Sequence, residues 1–373
     1  MHILIITPIF FPTIGGAATY YDLLIHGLLS GGVVKRITVV TERMSGLPNY
    51  EPCDARGIEL IRLFPHRAGG RLNKLSQYFR YGIQNLLYGF IPYLVRSRRP
   101  DVVLIHSSFH NYFNLLTPVV RYISKMVPVI SDVRDHQLTV GRLKQLENYH
   151  ALIACSLNVL GHLNQRESLI GRTEYIPVLQ ENLEPRKYAL QTLEKYSLNQ
   201  VPYLLFAGLI KSGKGIDLLL RTYELLISRG WGEKLVLVGL TKELKLLERA
   251  LAIPGVRSLG PVSRDELLDL MSCSRMAINL SGSEGMPRTS LEAIALGVRV
   301  ITPSGIPEFE RYCPDYVACS SNPELVASQI ENLLSKPMQN EYPIDQHATD
   351  AVLIQYERLF EKVCSEFRYR VDK

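Results

Sequence analysis

"MAINLSGSEGMPRTSLEAIALGVRVITP", residues 276–303, switches its hydrophobic pattern twice. "MAINLS" is a short apolar run that reads as a buried strand. "GSEGMP" is a turn, and Pro287 suits the start of a helix. Leu291, Ile294 and Ala295 fall on one face of that helix, and Gly297 suits its end. "VRVITP" is a second strand. A strand, a loop, a helix and a strand make one parallel unit. The unit carries two carboxylates, Glu284 in the turn and Glu292 inside the helix.

The same alternation extends in both directions. "VPYLLFAGLI", "KLVLVG" and "VRSLG" are strands upstream, each followed by a helical stretch. Towards the amino terminus, "HILIITP", "RITVVTE", "IELIRLF", "DVVLIHSS", "VPVISDVRD" and "YHALIACS" repeat the pattern. It weakens across residues 173–198, which read as a linker region. The expected fold is α/β, with two Rossmann-like doubly wound parallel sheets and ligands at the carboxyl ends of their strands, in a cleft. The expected domains are 1–182 and 183–351, with a terminal helix at about 352–373 packing back onto the first. No fixed repeat of 20–50 residues is visible, which excludes a solenoid.

The chain has 373 residues, 46% of them apolar, enough for two cores. Its six cysteines form no CxxC pair, so neither a zinc site nor a disulfide framework is expected. No apolar run reaches the ~18 residues of a membrane span. "MHILIITPIF" has no basic leader region and reads as a strand, so a cytoplasmic protein is expected. Residues 1–180 hold 19 Lys/Arg and 11 Asp/Glu, whereas residues 181–373 hold 23 and 25. The basic half suits phosphates, an anionic membrane or a generic solvated surface. No nucleic-acid partner is expected. "PTIGGAATY" does not supply G-x-G-x-x-G, although Glu42 after the second strand keeps a dinucleotide reading faintly open.

Free amides at the helix start near Pro287 suit an anion, most naturally a diphosphate. Glu284 would precede that anion and Glu292 would lie beyond it. A carboxylate accepts two hydroxyl hydrogen bonds, as a ribose diol offers. One carboxylate on a sugar, one on a ribose and a diphosphate between them outline a sugar nucleotide.

These residues resemble those of the large retaining glycosyltransferase family four, of GT-B fold, whose hallmark is E-x7-E. "EGMPRTSLEAIALG", "SGIPE" (304–308), "FAGLIKSGKG" (206–215), "LGPVSRDELLDLMSCS" (259–274) and the Gly15-Gly16 loop all match its segments. The resemblance implies that Glu284 contacts the donor sugar and Glu292 the ribose. Gly16, Lys211, Lys214, Gly285, Met286, Pro287, Arg288 and Thr289 would line the donor site, and backbone near Val262 would hold the base. It also implies no cofactor and no metal, a UDP-sugar donor, and a glycan or lipid-linked glycan acceptor. GT-B architecture also serves nucleotide-sugar epimerases and would suit a non-catalytic nucleotide-sugar-binding subunit; these remain alternatives.

Three departures stand out. The family writes G-R-L-x-x-x-K-G, but here the arginine position is Leu209, which leaves Lys211 or Arg288 to compensate. Where many members have His-Asp, this chain has Arg134-Asp135, with His136 next. Asp135 would touch the donor sugar or orient the acceptor. Arg134 would support a phosphate or pair with Asp132 or Asp135. The usual Asn-Gly after Ile-Pro is Val178-Leu179.

Residues 71–99 contain Arg71, Lys74, Arg80, Arg96, Arg98 and Arg99 among apolar and aromatic residues, with no acid. The stretch reads either as an interfacial helix on the inner face of a membrane or as an ordinary helix interrupted at Pro92.

Overall fold

The structure is a computed structural model. It describes all residues except 14, 66–81, 107–115, 135–137, 182, 184–188, 283, 320, 339–340 and 372–373. Asp135, His136 and the Arg71–Arg80 part of the basic stretch therefore lie outside the described residues. The chain divides into two compact units, Met1–Glu181 with Gln346–Lys373, and Asn182–Asp345.

The first unit holds strands β1 (His2–Ile6), β2 (Arg36–Glu42), β3 (Tyr50–Glu51), β4 (Ile58–Phe64), β5 (Val102–His106), β6 (Val129–Val133), β7 (Ala151–Ala154) and β8 (Thr173–Tyr175). They form one sheet in the order β3-β4-β2-β1-β5-β6-β7-β8. Every pair is parallel except β3 with β4. Ile3, Leu4, Ile5 and Ile6 are fully buried. An unbroken apolar strand is what a parallel sheet covered on both faces selects.

The second unit holds β9 (Tyr203–Ala207), β10 (Lys234–Val238), β11 (Val256–Gly260), β12 (Met276–Ile278) and β13 (Val300–Ile301). The order is β11-β10-β9-β12-β13, all parallel. In both sheets the strand order reverses beside the first strand, the doubly wound pattern.

The apolar runs read as strands all form strands. Two differences follow from weak local signals. β3 has two residues, and β8 has three partly exposed ones inside the stretch read as linker. That stretch also contains the helix Ala189–Lys195. The described part of the basic stretch is helical at residues 82–88 and again at Ile91–Arg98, with Pro92 in the first turn of the second helix. A proline is tolerated there because its missing N–H would have no helical partner.

The terminal helix Thr349–Val371 packs on the helix Gly16–Ser30 in the first unit. Val178 and Leu179 are buried where the chain returns. The Gln180 N–H donates to the His347 carbonyl at 2.7 Å, and the His347 ring Nδ1 lies 2.7 Å from the Val178 carbonyl. The Nδ1–H tautomer is therefore the one that fits. Burial pushes this imidazole down to about 4, against the opposing effect of that hydrogen bond. Val178 and Leu179 thus serve packing in this chain.

Candidate functional site

The order of the second sheet reverses between β9 and β12, so the loops after these strands diverge from adjacent strand ends. Such a switch point is where open α/β sheets bind ligands. Here the two loops are tied together. The Ser281 hydroxyl and the Gly282 N–H donate to the Gly213 carbonyl at 3.2 and 3.3 Å. Gly215 precedes the helix Ile216–Ser228 with φ +71°, and a Cβ there would lie 1.9 Å from the Leu280 carbonyl oxygen. Only glycine allows this approach.

That junction places Lys214 against Glu284. The Lys214 ammonium donates to Glu284 Oε1 at 2.5 Å, with both side chains partly exposed. Lys211, also partly exposed, sits beside Ser212. The Ser212 N–H and hydroxyl both donate to the Glu243 carboxylate, which pins the loop. Leu209 is partly buried, and nothing in the structure explains why leucine stands at this position.

Downstream, Gly285 is partly exposed, and Met286 and Pro287 are buried. The helix runs from Arg288 to Ala295, with Pro287 extended before it. It has no side-chain cap and no acidic residue in its first turn, which includes the partly buried Thr289. Uncapped amides and the positive end of the helix dipole make this end receptive to an anion.

Glu292 is only 2% exposed. It belongs to a run of five buried residues, Ser290 to Ile294, whereas Ala295, expected in the buried stripe, is partly exposed. Arg264 Nη1 lies 2.8 Å and Arg288 Nη2 3.5 Å from Glu292, and both contacts fall on the same oxygen, Oε1. Sequence reasoning missed Arg264. The signal was present as "SRDE": the Ser263 hydroxyl and the Glu266 carboxylate form a reciprocal capping box that makes Arg264 the first helical residue. Val262, partly buried, lies two residues before Arg264. The structure therefore gathers Lys214 with Glu284, and Glu292 with Arg288 and the segment after Val262.

In the first unit, Arg134 follows β6 and its Nε donates to Asp132 Oδ2 at 2.9 Å. Its guanidinium carbon lies 3.3 Å from the centre of the Tyr20 ring. The Tyr21 hydroxyl donates to the same Asp132 oxygen at 2.7 Å, and the Tyr20 and Tyr356 hydroxyls are hydrogen-bonded to each other. Burial, and then the Asp132 charge, push the Tyr21 hydroxyl well above its ordinary range, so it stays a donor. Arg134 thus takes the local Arg–Asp pairing. Gly15 and Gly16 are exposed, and the first helix begins at Gly16 without a side-chain cap.

Among the described residues, no group of three or more His, Cys, Asp or Glu is placed to hold a metal ion. No helix there is long and apolar enough to cross a membrane.

Residues 201–336 match the family described as Glycosyl transferases group 1. Among curated proteins, no sequence matches the chain. Among solved structures, sucrose-phosphate synthase from Thermosynechococcus elongatus superimposes with a TM-score of 0.77 at 16% identity, covering 98% of this chain and 99% of that one. A glycosyltransferase from Rickettsia africae gives 0.74 at 15%, covering 97% and 98%. The Anabaena protein HepE, solved in complex with UDP and glucose, gives 0.64 at 14%, covering 100% and 99%. These identities speak to the fold. The chain has the GT-B fold of two Rossmann-like domains. The matched residues 201–336 lie within the second unit, and the protein is an enzyme of the transferase class.

Proposed function

We propose that the protein is a retaining, metal-independent glycosyltransferase that moves a hexosyl unit from a UDP-sugar to a hydroxyl of a glycan or lipid-linked glycan. One observation carries the reading. Lys214, Glu284, an uncapped helix start and a buried Glu292 converge at the switch point of the second sheet. The UDP in the HepE complex supports the choice of nucleotide.

In this reading the diphosphate takes over the Lys214 ammonium, and Glu284 is released to accept a hydroxyl of the donor sugar. Glu292 accepts the ribose diol. As the bond from the sugar's anomeric carbon to the phosphate oxygen breaks, negative charge grows on the leaving diphosphate. Lys214 and the amides of the helix Arg288–Ala295 stabilise that charge from fixed positions. The acceptor oxygen bonds to the anomeric carbon on the face the phosphate leaves, and its proton passes to the leaving phosphate. Asp135 is proposed to orient the acceptor. Lys211 is proposed as the second cation in the absence of an arginine at position 209.

The reading is tested with a thermal-shift panel of nucleoside diphosphates and nucleotide sugars. A ligand at a hundred times its Kd stabilises the native state by about 2.7 kcal/mol, a shift of several degrees. UDP and one or more UDP-sugars should raise the melting temperature. A flat panel would sink the donor assignment. Slow turnover of a nucleotide sugar without any acceptor would favour the epimerase alternative instead.

We also propose that the first unit touches an anionic membrane. Leu86, Phe90 and Tyr93 are exposed by 73%, 54% and 65%, at spacings of four and three residues. The neighbouring helix Leu116–Ile123 adds Tyr122, over whose ring the Arg96 guanidinium lies, and Met126 follows. Arg96, Arg99, Arg121 and Lys125 are exposed, and residues 82–99 and 116–128 contain no acid. Each cation near an anionic surface adds about 1 kcal/mol. The protein should sediment with anionic vesicles at low salt, less at high salt, and not with neutral ones. Binding that ignores lipid charge would contradict this proposal.

A further inference from the structure

We infer that Arg264 is a positioning residue that holds Glu292 for ribose recognition and so sets the preference for a nucleotide with an intact diol. The inference rests on the donor reading above.

A carboxylate with 3% of its side chain exposed needs a partner, because removing an isolated charge from water is costly. The Arg288 contact is the longer of the two, at 3.5 Å, and comes from one turn earlier on the same helix. It gives the carboxylate no reference outside its own helix. Arg264, at 2.8 Å, comes from the helix Arg264–Ser272. The capping box fixes the start of that helix. The Ser263 N–H donates to Glu266 Oε2 at 2.9 Å, and the Glu266 N–H donates to the Ser263 hydroxyl at 3.2 Å. Arg264 therefore links the carboxylate to the segment that follows Val262, the proposed seat of the base. Both arginine distances are to Oε1, so Oε2 is the oxygen this arrangement offers to a hydroxyl. An unheld glutamate would have to be ordered by each incoming ligand, and that ordering would be subtracted from affinity.

The test compares UDP with 2′,3′-dideoxy-UDP by calorimetry on the full chain, as wild type, Arg264→Met and Arg264→Lys. A charge-assisted hydrogen bond is worth roughly ten- to a hundred-fold in affinity. Wild type should prefer the diol by at least about tenfold. Arg264→Met should reduce that preference to within about threefold while still binding the dideoxy nucleotide, and Arg264→Lys should restore part of it. A merely structural role would weaken both nucleotides alike and leave their ratio unchanged; that outcome overturns the inference. A wild type that binds UDP without any diol preference overturns the ribose role of Glu292, and the inference with it. A wild type that binds neither nucleotide overturns the donor reading itself.

Discussion

Gly215→Ala should destabilise the protein by roughly 2–5 kcal/mol, and Gly213→Ala, two residues away, by only about 1–2 kcal/mol. Both glycines have positive φ, +71° and +85°, so both substitutions incur the left-handed penalty of an L-residue. They differ in what a Cβ meets. At Gly213 nothing lies within 4 Å, whereas at Gly215 the Leu280 carbonyl oxygen lies at 1.9 Å. That oxygen is backbone and cannot rotate away, so the loop after β12 must move. The same loop leads to Glu284, and Lys214 is the residue before Gly215. Gly215→Ala should therefore also weaken UDP binding at temperatures where the variant is fully folded. Denaturant melts of the two variants, with UDP titrations in the native baseline, check both effects. Equal destabilisation by the two substitutions would show that the loops are not held as tightly as their geometry requires.

Asp132→Ala should cost about 3–5 kcal/mol, the range for breaking a buried ion pair by removing one partner. Asp132 is fully buried and accepts from both Arg134 and Tyr21. Its loss strips the Arg134 guanidinium of that carboxylate in a site from which water is largely excluded. Tyr21→Phe, which removes one neutral donor, should cost only about 1 kcal/mol. Replacing Asp132 and Arg134 together with apolar residues should recover part of the loss, because the guanidinium that loses Asp132 is then removed as well. A cost below about 1 kcal/mol for Asp132→Ala would mean that water reaches the pair and screens it.

The fold was largely legible because parallel strands are buried on both faces and so are written as short, unbroken apolar runs. "HILII" and "YLLFA" declare β1 and β9 without help from tertiary context. Thr173–Tyr175 does not, since three partly exposed residues carry no period. At the site, the two loops that carry Lys214 and Glu284 were legible as motifs, whereas the ion pair between the two side chains was not. The burial of Glu292 was not legible. An eight-residue helix with five consecutive buried positions has no amphipathic stripe to read, and a charged residue inside it looks like surface. The partner that makes this burial tolerable, Arg264, lies 28 positions earlier on another element. The role of Arg134 was open between a phosphate and an aspartate because the sequence places Asp132 and Asp135 equally near. β6 turns Asp132 inward, where Tyr21 and Arg134 both donate to its Oδ2.

Lys214 and the helix start at Arg288 are proposed to receive a diphosphate. Calorimetric titration of the full chain with UDP and with uridine, in wild type and Lys214→Ala, tests it most directly. Wild type should bind UDP at least about tenfold more tightly than uridine, and Lys214→Ala should lose most of that margin, a change of roughly 1.5–3 kcal/mol, while its uridine affinity stays within about twofold. Equal binding of UDP and uridine by wild type, or an unchanged margin in Lys214→Ala, would contradict the account.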